Sequence, residues 1–108
     1  MALTFPANGT QLTTALEVEF FSQVISTAMH GLKVHLDTMT GTETFVIKIY
    51  NYDDVDAVER LFGTFTYTGV QTEATTIFDF IPSTRYRATI QRTAGTDRTV
   101  SWERMEIA

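Results

Sequence analysis

The stretch Tyr86-Arg87-Ala88-Thr89-Ile90-Gln91-Arg92-Thr93-Ala94-Gly95-Thr96-Asp97-Arg98-Thr99-Val100-Ser101-Trp102 decides the fold class. Tyr86, Ala88 and Ile90 alternate with polar partners, Thr93 to Asp97 interrupts the alternation, and Val100 and Trp102 resume it. A two-residue period sends successive side chains to opposite faces of an extended strand, so each half reads as a strand with one buried face. The interruption carries Gly95, which tolerates the positive φ a tight connection demands, and the whole predicts a C-terminal β-hairpin. Trp102, the only tryptophan, falls on the apolar side with Tyr86, Ala88, Ile90 and Val100 and is expected at the centre of the core.

Working outward, the same period recurs upstream. Phe45, Ile47 and Ile49 share one face while Val46, Lys48 and Tyr50 share the other, and Leu32, Val34 and Leu36 form a single inward row. Twenty threonines and eight phenylalanines favour pleated, half-buried surfaces, and no sustained helical spacing competes with them. The predicted strands are Gln11–Glu19, Gly31–Asp37, Thr42–Tyr52, Glu59–Thr68, Thr75–Ile81, Arg85–Thr93 and Arg98–Ile107, with a short opening strand near Leu3. Phe20 to Met29 has helix-compatible spacing but reads best as a strand or extended loop. Seven or eight strands in a chain of 108 residues predict an all-β fold, a two-sheet antiparallel β-sandwich of jelly-roll or immunoglobulin-like type, as one domain spanning residues 1–108.

Composition narrows the functional classes. The chain has no cysteine, no basic-then-apolar leader and no apolar run of bilayer length, so a soluble protein folding in a reducing cytosol, with no membrane partner, is expected. Residues 1–80 hold Lys33, Lys48 and Arg60 against ten carboxylates, net −7, whereas residues 81–108 hold five arginines against Asp97, Glu103 and Glu106, net +2. That balance argues against nucleic acid, which needs a basic face to displace counterions from phosphates. The arginines read either as a solvated sheet face with cross-strand ion pairs, or as a self-complementary surface, with Arg85, Arg87 or Arg92 of one copy meeting Asp53, Asp54, Asp56 or Glu59 of another in a salt-sensitive contact.

The sequence offers little chemistry. His30 and His35 stand five residues apart, which places them on opposite faces of a strand, and neither lies near a nucleophile elbow. No catalytic residue, metal ligand set or cofactor motif is predicted. Asp53, Asp54, Asp56 and Glu59 contain the oxygens a hard cation seeks but lack the glycine and terminal glutamate of a calcium loop, so they read as a solvated acidic turn. Glu17 and Glu19 share a strand face, yet so small a chain has no room for a glycosidase cleft. Tyr50, Tyr52 and Tyr67, with Trp102 as an outlying member, form a conceivable stacking platform for carbohydrate.

The run Gln91 to Glu103 resembles the C-terminal hairpin of small, roughly hundred-residue proteins encoded among the structural genes of tailed bacteriophages. Leu32-Lys33-Val34-His35-Leu36-Asp37, Phe45-Val46-Ile47-Lys48-Ile49-Tyr50, Phe65-Thr66-Tyr67-Thr68-Gly69 and the Gln71-Thr72 step extend the resemblance over about residues 31–108. Two departures stand out: the segment Asp53 to Leu61 is more acidic than is usual there, and Arg104 occupies a position commonly apolar. The resemblance implies a non-enzymatic virion protein. The expected role is capsid decoration, or cement, on the outside of the head shell, with the major capsid protein and further copies of the chain, as a cyclic oligomer such as a trimer, for partners. The alternative is a tail or head-fibre accessory module that binds host-surface carbohydrate.

Overall fold

Alternating burial is realised as nine strands in the computed structural model, which describes residues 3–21, 24–25, 29–53, 58–82 and 85–107. They are β1 (Leu3–Leu12), β2 (Val18–Glu19), β3 (Val24–Ile25), β4 (Met29–His35), β5 (Thr44–Asp53), β6 (Val58–Thr68), β7 (Thr75–Pro82), β8 (Arg85–Ala94) and β9 (Thr99–Ile107), and no described residue is helical. One antiparallel sheet has the order β1-β9-β4-β7 and the other β2-β8-β5-β6, with β3 joining the second along β8. Because β2 and β3 pair with successive stretches of β8, they act as one interrupted strand, and the sandwich has eight strand positions. The chain changes sheet at every connection except those from β2 to β3 and from β5 to β6. Of the two expected topologies, this interleaving is the jelly roll.

The core lies between the sheets. Leu32, Val34 and Leu36 from the β4 segment and Val100 and Trp102 from β9 face Phe45, Ile47 and Ile49 from β5 and Tyr86, Ala88 and Ile90 from β8, all buried as their alternation predicts. Phe20 and Phe21 close over the indole of Trp102 at ring-centroid distances of 6.2 and 5.4 Å. Gly9 lies opposite Trp102 on β1, where a Cβ would come within 3.3 Å of the indole.

Two expectations about connectivity fail. The predicted C-terminal hairpin does not form, because β8 and β9 lie in different sheets, β8 pairing with β5, β2 and β3, and β9 with β1 and β4. Gly95 does take a positive φ of 81°, but it turns the chain across the end of the sandwich. A Cβ there would meet the backbone of Thr42 and Glu43 at 2.5 and 2.7 Å, so the arch is packed directly on the turn before β5. The second failure is Gln11–Glu19, which is not one strand. β1 ends at Leu12, and Thr14 hydrogen-bonds locally through Oγ1, accepting from Leu16 N and donating to Leu16 O, a side-chain turn that competes with strand pairing. Thr13, fully buried, anchors that turn by exchanging hydrogen bonds with the backbone of Arg98.

One end of the interior is polar. Register places His30, Arg104 and Glu106 on the core side with Leu32, Val34 and Trp102. His30 is fully buried, stacks on Tyr86 at 5.1 Å and faces Glu106 at 3.6 Å, while Arg104 pairs with the same carboxylate and lies over Phe21. Arg104 is thus an interior residue paired along its own strand.

Candidate functional site

The outward face of the β2-β8-β5-β6 sheet carries most of the side chains expected to act. Tyr50 pairs in register with Arg87 on one side and Leu61 on the other, and Tyr52 pairs with Glu59. On this face Glu17 accepts hydrogen bonds from the hydroxyls of Tyr50 and Thr89 at 2.6 and 2.7 Å, with Lys48 3.7 Å away. Burial opposes its charge, but those two donors, together with Lys48 and Arg87, outweigh it and hold the carboxyl below its ordinary range. Burial and the bonded carboxylate together push the Tyr50 phenol up to about 12. Arg87 donates twice to Glu59, at 2.7 and 3.1 Å, and its guanidinium covers the Tyr50 ring at 4.1 Å. Glu59 in turn raises the pKa of Arg87.

Every group in that network answers another, which bears directly on the expected contacts. Arg87 and Glu59 meet within one chain, Arg92 is engaged by Asp97 at 2.5 Å and by the Gly95 carbonyl, and Arg85 lies over the Tyr52 ring at 4.8 Å. Asp53 ends β5; Asp54 and Asp56 lie outside the described residues. Tyr50 and Tyr52 share the outer face with guanidinium groups over their rings, whereas Tyr67 pairs with Phe45 on the inner side and packs against the core. The three tyrosines therefore do not form a common platform. His30 and His35 do occupy opposite faces of β4, the first buried in the core and the second outward, sharing a hydrogen bond with Thr75 Oγ1 at 2.7 Å. Among the described residues, no group of three His, Asp or Glu side chains is placed to hold a metal ion.

The edge of the same sheet is different in character. Strand β6 is the outermost of its sheet and, among the described residues, pairs only with β5. A bulge interrupts that pairing: Ile49 faces Gly63 and Tyr50 faces Leu61, leaving Phe62 as the extra residue. Leu61 is 51% exposed, Phe62 54%, Val58 48% and Phe65 36%, so one edge presents four large apolar side chains. Gly63 lies under the Phe65 ring, 2.9 Å from where a Cβ would stand. Strand alternation does not reveal this edge, because a bulge shifts the inside–outside pattern by one residue and only Gly63, a glycine inside the strand, hints at it.

A third feature was also missed. Glu43 is fully buried and accepts from Thr42 Oγ1, Thr40 N, Thr40 Oγ1 and Arg98 Nε. The Thr42 hydroxyl and the Thr40 amide, helped by Arg98, overcome burial and hold its pKa down to about 2. With Gly69 N bonded to the Glu43 carbonyl, this residue ties the turn before β5, the β8–β9 arch and the β6–β7 connection into one end of the sandwich. Comparison of the chain with protein-family models, with curated proteins and with solved structures finds no match.

Proposed function

We propose that the chain is a non-enzymatic structural protein of a bacteriophage virion, a decoration or cement protein that seats on the outer head shell and contacts the major capsid protein and further copies of itself. The observation that carries this reading is the apolar β6 edge. Eleven residues of edge strand span about 36 Å, and soluble monomers usually blunt such an edge with charge, proline or a covering segment. Leu61, Phe62 and Phe65 gain most when a neighbouring surface covers them, at about 25 cal/mol for each Å² of apolar area removed from water. Decoration repeats that modest contact over many copies, which suits a rigid jelly roll whose sheet face is already satisfied by its own ion pairs.

With Arg87 and Arg92 engaged inside the chain, apolar contact carries the assembly in this reading. The test is attachment to phage particles stripped of the protein. Wild type is expected to rebind in many copies per head, and Leu61→Asp with Phe62→Asp to lose at least tenfold in occupancy while melting as wild type, since exposed substitutions change stability by about 0.5 kcal/mol or less. Failure of wild type to bind the particles, or equal binding by the double variant, overturns the proposal.

A further inference from the structure

We infer that the outward face of the other sheet is a binding site for a neutral saccharide, a function that does not depend on assembly through β6. A groove of about 390 Å³ runs over β1, β9 and the end of β4, lined by Asn8, Thr10, His35, Asp37, Ser101 and Glu103. This volume lies in the range of small-ligand sites, about 300–1,000 Å³. Register explains the hollow. Thr10, Ser101 and His35 stand in one row across the three strands and Asn8, Glu103 and Lys33 in the next, so the middle strand contributes its small serine between longer flanking side chains.

What distinguishes this face is that four of its polar side chains are uncommitted. Among the described residues, no hydrogen bond engages the side chains of Asn8, Thr10, Asp37 or Ser101, whereas Glu17, Tyr50, Thr89, Arg87 and Glu59 of the opposite sheet satisfy one another. His35 shares a hydrogen bond between Nδ1 and Thr75 Oγ1. The ligand class follows by chemistry. Gly9 and Trp102 add apolar surface to the lining, but a hydrocarbon would leave the six polar side chains around it without partners. Two carboxylates against Lys33, which lies 3.3 Å from Glu103, give a negative balance that repels phosphates and acidic sugars. The described residues place no third ligand for a metal beside those carboxylates. A basic peptide would find one exposed carboxylate, Asp37, of little worth in water, and leave the amide and hydroxyls idle. Adjacent hydroxyls of a sugar, each both donor and acceptor, match Asn8, Thr10, Asp37 and Ser101 together.

Backbone-amide NMR titration of the whole chain with lactose, maltose, cellobiose and diacetylchitobiose, and with sialyllactose as the charged counterpart of lactose, tests this. At least one neutral disaccharide is expected to give saturable shifts confined to residues 8–10, 35–37 and 101–103. Sialyllactose should bind more weakly than lactose if lactose binds, and otherwise not at all. Ser101→Phe, which fills the trough, and Asn8→Ala, a milder change on an edge strand, should each weaken binding at least tenfold with unchanged melting. No response to any neutral disaccharide, shifts centred on residues 50–52 and 87, tighter binding of sialyllactose, displacement by trilysine, or undiminished binding by both variants would each overturn the inference.

Discussion

A carboxylate with no solvent exposure is the strongest local commitment in this chain. Glu43 stays ionised because hydroxyl, amide and guanidinium donors converge on it, so its folded-state pKa lies at about 2 against an ordinary 4.5. A depressed pKa means the folded protein binds fewer protons, so this stabilisation is complete above about 4.5 and disappears as pH falls toward 2. Glu43→Gln should therefore lower the melting temperature at neutral pH, and the gap to wild type should narrow between pH 4.5 and 2; a gap independent of pH would mean the charge is not what stabilises the turn. Gly95 is the arch's other fixed point. Alanine there meets both a left-handed φ, costing about 1–2 kcal/mol, and the Thr42 backbone, so Gly95→Ala should destabilise by at least that much in urea unfolding. Trp102→Ala removes the largest ring of the core and should cost about 3–5 kcal/mol. Trp102 could be placed from alternation alone. Glu43 could not, since its donors come from Thr40, Thr42 and the distant Arg98, and nothing in Thr-Glu-Thr reads differently from a solvated turn.

Strands reveal their faces in sequence but not their partners. The inward sets Leu32, Val34, Leu36, then Phe45, Ile47, Ile49, then Tyr86, Ala88, Ile90, were legible because a period of two is a property of each segment by itself. The β8–β9 hairpin was misread because two alternating runs joined by a short glycine-bearing loop suit either a hairpin or an arch between sheets. What selects the arch is remote: Thr44–Asp53 takes one edge of β8, and Leu3–Leu12 and Met29–His35 take both edges of β9. Likewise the bulge at Phe62, which creates the apolar edge, depends on pairing with β5. Amide exchange gives the elements a ranking. The central strands β4, β5, β8 and β9 should protect most strongly, and the strands that, among the described residues, have a single partner, β1, β2, β3, β6 and β7, should exchange sooner. Protection of β9 should fall when β1 is weakened by Gly9→Val, whose side chain would press on the Trp102 indole, while β5 and β6 stay protected. A loss shared equally by both sheets would show that they do not open separately.

Apart from the β5–β6 hairpin, the pairing that builds this sandwich joins segments far apart in sequence, and a jelly roll assembled this way should fold on the millisecond-to-second scale of all-β domains. In the native state Leu61 and Phe62 on the β6 edge are about half exposed, so a contact there would remove apolar area from water. Each copy carries a formal charge of −5, which opposes bringing copies together. Were association driven by arginine–carboxylate pairs, raising salt would weaken it; with Arg87 and Arg92 already paired inside the chain and an apolar edge at the contact, screening should instead relieve the repulsion between like-charged copies. Shortening the Debye length from about 10 Å at 0.1 M to about 3 Å at 1 M is thus expected to shift sedimentation toward the oligomer. Leu61→Asp with Phe62→Asp should stay monomeric at both salt concentrations, because each added carboxylate would have to be desolvated in the contact. Dissociation of the wild type at high salt would move the interface back to the charged side chains Arg85, Asp53, Asp54 and Asp56.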